Sequence, residues 1–272
     1  MAFPRHLKMQ NPSKAQLRLW NRLDQVKVRE ETGLFLAEGL KIVQALLESN
    51  WEVQSLLILE DKKERWEPFR RTLPGTLPCY GLVEKEWKGL TQDVSPEGIM
   101  AVGIIPPRLE LSDMMAKARE GPLLLLHEIN NPGNLGTLVR TAHWFGFSGV
   151  FLGQGSVDPL NPKVVRTAMG SLFHMPFLSG VRLPELLPQI KEKFHVVGSS
   201  VRTGNIPHPC GGETALLLGS ESHGLPDDLL QMIDEQWHIP RRGGGESLSL
   251  PQAAAILMYE CVRVASSHTA KV

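Results

Sequence analysis

The sequence predicts an α/β protein whose larger part is a mostly parallel sheet with helices on both faces. Three observations carry this. Residues 123–129, 149–153, 194–200 and 214–220 are short, near-continuous apolar runs, the pattern of strands buried on both faces. Helical stretches separate them, the alternation that builds parallel sheets. Apolar residues make up 42% of the 272, enough for a sizeable core and incompatible with a disordered or collagen-like chain.

Ahead of these runs a smaller α/β domain is expected. Residues 1–30 carry seven bases against Asp24 and Glu30, a basic arm able to touch phosphate. Then E-T-G-L-F-L-A-E opens with a short apolar run and continues as an amphipathic helix with Leu40, Val43, Leu46 and Leu47 on one stripe. S-L-L-I-L-E reads as a buried strand, residues 61–71 as an exposed helix or loop, and L-P-C-Y-G-L-V and G-I-M-A-V-G-I-I as further strands. Pro106-Pro107 closes the region and a polar, helix-prone connector follows. The expected division is residues 1–105, a linker at 106–120 and a second domain at 121–272.

Several classes are excluded. The 29 Lys+Arg balance 29 Asp+Glu, against indiscriminate coating of nucleic acid. No stretch approaches the roughly 20 apolar residues that cross a bilayer, and the first ten residues lack the apolar core of a secretory signal, so a cytoplasmic protein with no membrane partner is expected. Cys79, Cys210 and Cys261 are odd in number and widely spaced, which suggests buried thiols and neither a disulfide framework nor a metal site.

Parallel sheets bind ligands beyond the carboxyl ends of their strands. Three loops there carry chemistry. N-N-P-G-N-L-G-T-L-V-R-T-A follows the strand ending near Ile129; Asn134 is placed to cap the next helix, whose Leu135, Leu138, Val139 and Ala142 face the core. Arg140 falls about 140° from Leu135 and projects away from that stripe, able to clamp a phosphate with two parallel hydrogen bonds, or simply solvated. L-L-L-G-S-E-S-H-G-L-P turns through glycines that allow close backbone approach, and Glu221 could fix an arginine or a ribose hydroxyl. His223 is either a base or an exposed loop histidine. In H-I-P-R-R-G-G-G-E-S-L-S-L-P-Q-A-A-A, Ser247 or Ser249 can cap a helix with Pro251 in its first turn. None of the loops holds a Walker or G-x-G-x-x-G fingerprint.

Together and in this order, these loops resemble the signature motifs of the SpoU (TrmH-like) RNA ribose 2′-O-methyltransferases of the SPOUT superfamily. N-P-G-N-L-G-T-L-V-R-T-A is similar to the first motif, L-L-L-G-S-E-S-H-G-L to the second and I-P-x-x-x-x-x-E-S-L-S to the third, with P-K-V-V-R-T-A-M-G-S-L-F-H-M-P-F between the first two. The resemblance covers nearly the whole chain. It implies a C-terminal parallel-sheet domain with a deep trefoil knot, an exception to the usual absence of knots, preceded by a smaller α/β substrate-binding domain. It implies S-adenosylmethionine as cofactor, RNA as substrate, with ribosomal RNA favoured over tRNA, and a homodimer.

By motif, Gly219, Ile239 and Leu248 line the cofactor site, flanked by Leu218, Ser220 and Ser249. Arg140, Glu221 and Ser247 sit at the reacting end, with Asn134 shaping the first loop. Lys163, Arg166, Arg241 and Arg242 join Arg140 as RNA-binding cations. Ser249 stands where the family reads asparagine, so it keeps a hydroxyl but lacks the amide's reach. A guanidinium is a poor base at neutral pH. Arg140 is therefore expected to hold the adjacent phosphate and stabilise developing alkoxide charge, with Glu221 as its orienting partner. Other readings that stay open are a tRNA methyltransferase, a non-catalytic ribosome-associated RNA-binding protein and an α/β enzyme acting on a small nucleotide.

Overall fold

The computed structural model describes residues 9–117, 121–244 and 247–263; Arg5, Lys8, the end of the 106–120 linker, Gly245 and Glu246 lie outside the described residues. The chain divides into two units, Met1–Pro107 with Leu160–His174, and Arg108–Pro159 with Met175–Val272.

In the first unit, Ser13 caps α1 (Lys14–Trp20) in a reciprocal box: Gln16 N–H donates to Ser13 Oγ at 3.2 Å, and Ser13 N–H donates to Gln16 Oε1 at 2.9 Å. Gly33, at φ 66°, ends α2 (Val26–Thr32) in the left-handed conformation. Trp20, Leu23 and Val28 are buried in the core, and Arg29, 1% exposed, donates from Nη1 to the Leu23 carbonyl at 2.7 Å. From residue 14 the basic stretch is thus folded structure and not a free arm, because the apolar residues interleaved with the bases carry the backbone into the core. Lys14, Arg18, Arg22 and Lys27 stay exposed.

There follow β1 (Leu34–Glu38), α3 (Leu40–Glu48), β2 (Val53–Leu59), α4 (Lys63–Arg70), β3 (Cys79–Leu82), α5 (Glu84–Trp87) and β4 (Ile99–Ile104). The sheet order is β1-β4-β2-β3, with β4 antiparallel to both neighbours and β2 parallel to β3. α3 buries Ile42, Val43 and Leu46, while Leu40 and Leu47 flank that stripe half-buried. The mixed-charge segment is the helix α4, anchored by buried Trp66.

The second unit contains α6 (Leu111–Lys117), β5 (Leu123–Leu126), α7 (Pro132–Trp144) and β6 (Gly149–Gly153). The chain then contributes α8 (Pro162–Thr167) to the first unit before β7 (Phe177–Val181), α9 (Leu183–Lys191), β8 (His195–Ser200), β9 (Thr214–Leu218), α10 (Asp227–Leu230), β10 (Glu235–His238) and α11 (Leu250–Val262). The six strands run in the order β10-β8-β9-β5-β6-β7, every pair parallel. Leu123, Leu125, Phe151, Val196 and Leu217 pack with Met114, Leu187 and Leu229 from α6, α9 and α10. The period of two turns Leu124, Leu126, Leu216 and Leu218 to the other face, where α11 packs on β9 and α7.

The sequence reading kept residues 160–174 in the second domain; here they pack with the first unit. α8 lies on β1. Phe173 has its ring centroid 5.8 Å from that of Phe35 and 5.4 Å from that of Trp51, and Arg166 donates from Nη1 to the Gln92 carbonyl at 3.3 Å. Val164, Val165, Leu172 and Phe173 are among the buried residues that fix the segment there.

Candidate active site

Two of the three loops meet at the carboxyl end of the six-stranded sheet. The His127 N–H, one residue past β5, donates to the carbonyl of Leu218, the last residue of β9, at 2.9 Å. The two strands therefore end level with each other. Beyond β9 the backbone folds into a tight turn: Ser220 N–H donates to the Gly224 carbonyl at 3.1 Å and Gly224 N–H to the Ser220 carbonyl at 2.9 Å. Gly219 makes this possible. A Cβ there would lie 2.1 Å from the Gly224 carbonyl carbon and 2.4 Å from the Leu225 nitrogen, which no side chain survives.

Beyond β5, Asn131 and not Asn134 caps α7: its Oδ1 accepts from the N–H groups of Gly133 at 2.8 Å and Asn134 at 3.3 Å. The readable signal was Pro132, since proline favours the first helical position and so marks the residue before it as the cap. Freed from capping, Asn134 donates from Nδ2 to Glu221 Oε1 at 2.7 Å, tying the first loop to the second. Glu221 is thus bonded to Asn134 where the sequence reading paired it with Arg140.

Leu135, Leu138, Val139 and Ala142 are buried on α7, and Arg140 is exposed, as their spacing predicts. Among the described residues its guanidinium has no ion-pair or hydrogen-bond partner. Arg140 comes six positions after Asn134, which sets them about 120° apart around the helix axis. One copy of α7 therefore points the two side chains in different directions.

The third loop starts where β10 ends. His238 Nδ1 is buried with no hydrogen-bond partner among the described residues, next to half-buried Ile239. Arg241 and Arg242 are exposed; so are Ser247, Ser249 and Leu248, the last 47% exposed despite its apolar side chain. Ser249 takes the N-cap position of α11, and its N–H donates to Gln252 Oε1 at 3.3 Å. This gives Ser249 and the L-P-Q sequence that follows it a shared helix-starting role. Lys163 and Arg166 belong to the first unit; Lys163 is exposed, whereas Arg166 is half-buried with its bond to Gln92 already made.

A glycine turn with no room for a side chain, an orphaned imidazole nitrogen and exposed apolar Leu248 suit a ligand with both polar and apolar parts. Comparison with known proteins agrees with this geometry. Residues 122–259 match the model of the SpoU rRNA Methylase family, and residues 14–101 match that of the MRM3-like substrate binding domain. The chain belongs to the SpoU rRNA methylase family. It is 34% identical over 244 residues to the 23S rRNA (guanosine(2553)-2′-O)-methyltransferase RlmP of Bacillus subtilis, covering 88% of this chain and 93% of that protein. It is 27% identical over 251 residues to the 23S rRNA (uridine(2479)-2′-O)-methyltransferase of Streptomyces viridochromogenes, 86% and 84% of the two chains. An AdoMet-bound rRNA methyltransferase from Sinorhizobium meliloti superposes with a TM-score of 0.78 at 26% identity, over 93% of this chain and 96% of that one. The SpoU match spans all three loops, and the substrate-binding match covers the four-stranded sheet except the end of β4. Among the described residues, no helix is long and apolar enough to cross a membrane.

Proposed function

We propose that this protein transfers a methyl group from S-adenosylmethionine to a ribose 2′-hydroxyl of RNA, with 23S ribosomal RNA as the substrate class. The observation that carries the reading is the Asn134–Glu221 bond, which joins two loops of a SpoU chain at the carboxyl ends of adjacent parallel strands. Gly219, Leu218, Ser220, Ile239, Leu248 and Ser249 hold the cofactor, which when bound supplies an activated methyl group. Displacement at that methyl requires the attacking oxygen in line with the leaving sulfur, so the chain's task is alignment and charge. Arg140 grips the phosphate beside the target ribose through its planar fork and stabilises negative charge as the hydroxyl loses its proton. Asn134 and Glu221 keep the two loops in register, and Ser247 lies at the reacting end.

The divergence of Asn134 and Arg140 on α7 supports a homodimer in which one subunit's Arg140 serves the other's loops. The surface beside them is suited to that. Trp144 is 84% exposed at the end of α7, Tyr259 and Ile256 are exposed on α11, and the rings of Phe145 and Tyr259 lie 6.1 Å apart. Threading of the last strands and α11 through a trefoil knot belongs to the same reading, as does the domain division at residues 106–120.

Transfer of radiolabelled methyl to unmodified total RNA, separated into ribosomal RNA and tRNA, tests the function. Label in the ribosomal fraction, lost in Arg140→Ala, is expected. Label in tRNA alone would overturn the substrate class, and cofactor binding without transfer to any RNA would overturn the enzyme. In the first unit, Lys14 and Arg18 form an exposed i, i+4 pair on α1 that can meet phosphate. Lys14→Glu with Arg18→Glu is expected to weaken RNA binding and flatten its salt dependence by about one unit of slope per lost contact; an unchanged slope removes α1 from the interface.

A further inference from the structure

At the opposite, amino end of the six-stranded sheet lies a cluster that methyl transfer does not use. The loop before β9 brings Cys210 against the end of α11: the N–H groups of Cys210 and Gly211 donate to the Cys261 carbonyl at 3.1 and 3.3 Å. These bonds hold the Cys210 and Cys261 backbones side by side, as a disulfide requires, since its Cα atoms lie about 4.4–6.8 Å apart. The Cys210 thiol donates to the His208 carbonyl at 3.2 Å, and the Cys261 thiol and the hydroxyl of Thr214, the first residue of β9, lie close enough to perturb it. Cys261 is fully buried, whereas Cys210 is half-buried and reachable.

Next to Cys210 stands an imidazole held by a carboxylate. His208 Nδ1 is 3.9 Å from Cys210 Sγ and 3.2 Å from the Pro209 carbonyl, while Nε2 is 3.1 Å from Glu235 Oε1. Glu235, 13% exposed, also accepts from Asn205 Nδ2 at 3.0 Å and lies 3.3 Å from His195 Nε2. The Pro209 carbonyl and Glu235 favour the protonated imidazole, so a positive charge faces the sulfur. The Cys261 thiol and His208 draw the Cys210 thiol down, while the nearby Cys210 thiol, together with burial, pushes Cys261 up. Cys79 is the contrast within the same chain: buried, with its thiol pushed up to about 11 by burial.

We infer that Cys210 and Cys261 form a reversible oxidation site, with Cys210 as the peroxide-reactive thiol and Cys261 as its resolving partner. The Cys210 thiolate attacks one oxygen of hydrogen peroxide, forming an S–O bond as the O–O bond breaks; the departing hydroxide takes the His208 proton and leaves as water. The sulfur of Cys261 then attacks the Cys210 sulfenic acid, forming the S–S bond, and the expelled hydroxide leaves with the Cys261 proton as a second water. Two thiols lose two electrons and one peroxide gains them. The bridge closes a covalent loop from residue 210 to residue 261, containing the Ser220–Gly224 turn and the start of α11, so oxidation at one end of the sheet constrains the backbone of the site at the other.

The test is graded hydrogen peroxide on the full reduced chain, followed by alkylation and peptide mapping. An intramolecular Cys210–Cys261 disulfide, reversed by dithiothreitol while Cys79 stays alkylatable, is expected. In the reduced protein, iodoacetamide should modify Cys210 at least about tenfold faster than Cys79, and His208→Gln should slow Cys210 several-fold and leave Cys79 unchanged. Because Cys261→Ser alters a buried position, Cys210→Ser is the companion variant and should abolish the bridge. Equal reactivity of Cys210 and Cys79, a Cys210 that ends only as mixed or intermolecular disulfide, or a His208→Gln protein with undiminished Cys210 reactivity would overturn the proposal.

Discussion

The two ends of the six-stranded sheet use charge in opposite ways. At the amino end charges are matched within the chain. Lys191 Nζ lies 2.8 Å from Asp234 Oδ1 and donates to the Met232 carbonyl at 2.9 Å, Asp234 Oδ2 accepts from the Val196 N–H at 2.9 Å, and Glu235 gathers two histidines and an asparagine. Among the described residues, Arg140, which lies two turns along the helix that leaves the carboxyl end, has no partner of its own, Glu221 in the carboxyl-end turn has one, and Leu248 shows its apolar side chain to solvent. Side chains that satisfy one another stabilise a fold, and those left uncommitted are available to a ligand. Methyl-transfer chemistry is thus separated from this charge pairing by the length of a strand.

Substitutions at each end test that separation. The largest effect is expected for Arg140→Ala: methyl transfer at saturating cofactor and RNA falls at least about 100-fold, while the thermal midpoint moves by no more than about 2 °C, since an exposed side chain is removed. A calorimetric scan beside the radiolabel assay checks both halves, and a large loss of stability would break the comparison. Arg140→Lys keeps the charge and loses the fork, so full activity would rule out a bidentate grip. Mixing Arg140→Ala with Glu221→Ala subunits sharpens the picture further. If Arg140 acts across a dimer, the mixture regains activity that neither variant has alone; no recovery places both groups on one subunit.

Gly219→Ala comes next. The added methyl meets the Gly224 backbone, so the turn must open at a cost of about 2 kcal/mol or more, read by urea denaturation, with cofactor binding lost at the same time. The smallest effect is expected at the other end. Asp234→Asn should cost about 1 kcal/mol and leave methyl transfer unchanged. Burial alone would raise the Asp234 carboxyl, but the Lys191 ammonium and the Val196 N–H outweigh it and hold it below the usual carboxylate range. Its contribution is therefore present above the ordinary value of about 3.9 and is lost as pH falls below it. The gap in thermal midpoint between native protein and Asp234→Asn should be constant from pH 7 to 5 and close towards pH 3.

Much of the fold could be read from the sequence because β5, β6 and β9 are buried on both faces and therefore spelled in leucine, valine and phenylalanine. The edge strands were not legible. β10 reads E-Q-W-H, with only Trp237 fully buried, and β7 reads F-L-S-G-V, because an edge strand owes the core only one side. At the site, the exposure of Arg140 followed from helical spacing alone. The Asn134–Glu221 bond did not, since 87 residues separate the partners and only the parallel pairing of β5 with β9 brings them together. The Cys210 and Cys261 pairing was invisible for the same reason. The burial of Arg29 was missed because charge counting ignores the tryptophan and leucines between the bases.

The position of β9 between β5 and β8 also governs how the protein is born. β5 leaves the ribosome with residue 126, but its neighbour on that side is complete only at residue 218. At about 5–20 residues per second, translation takes roughly 5–20 s to cover that interval. During it the inner edge of four consecutive leucines has no strand to pair with, a template for any other extended chain nearby. The demand this protein places on cellular chaperones is therefore set by its strand order, and stabilising the finished fold would not reduce it.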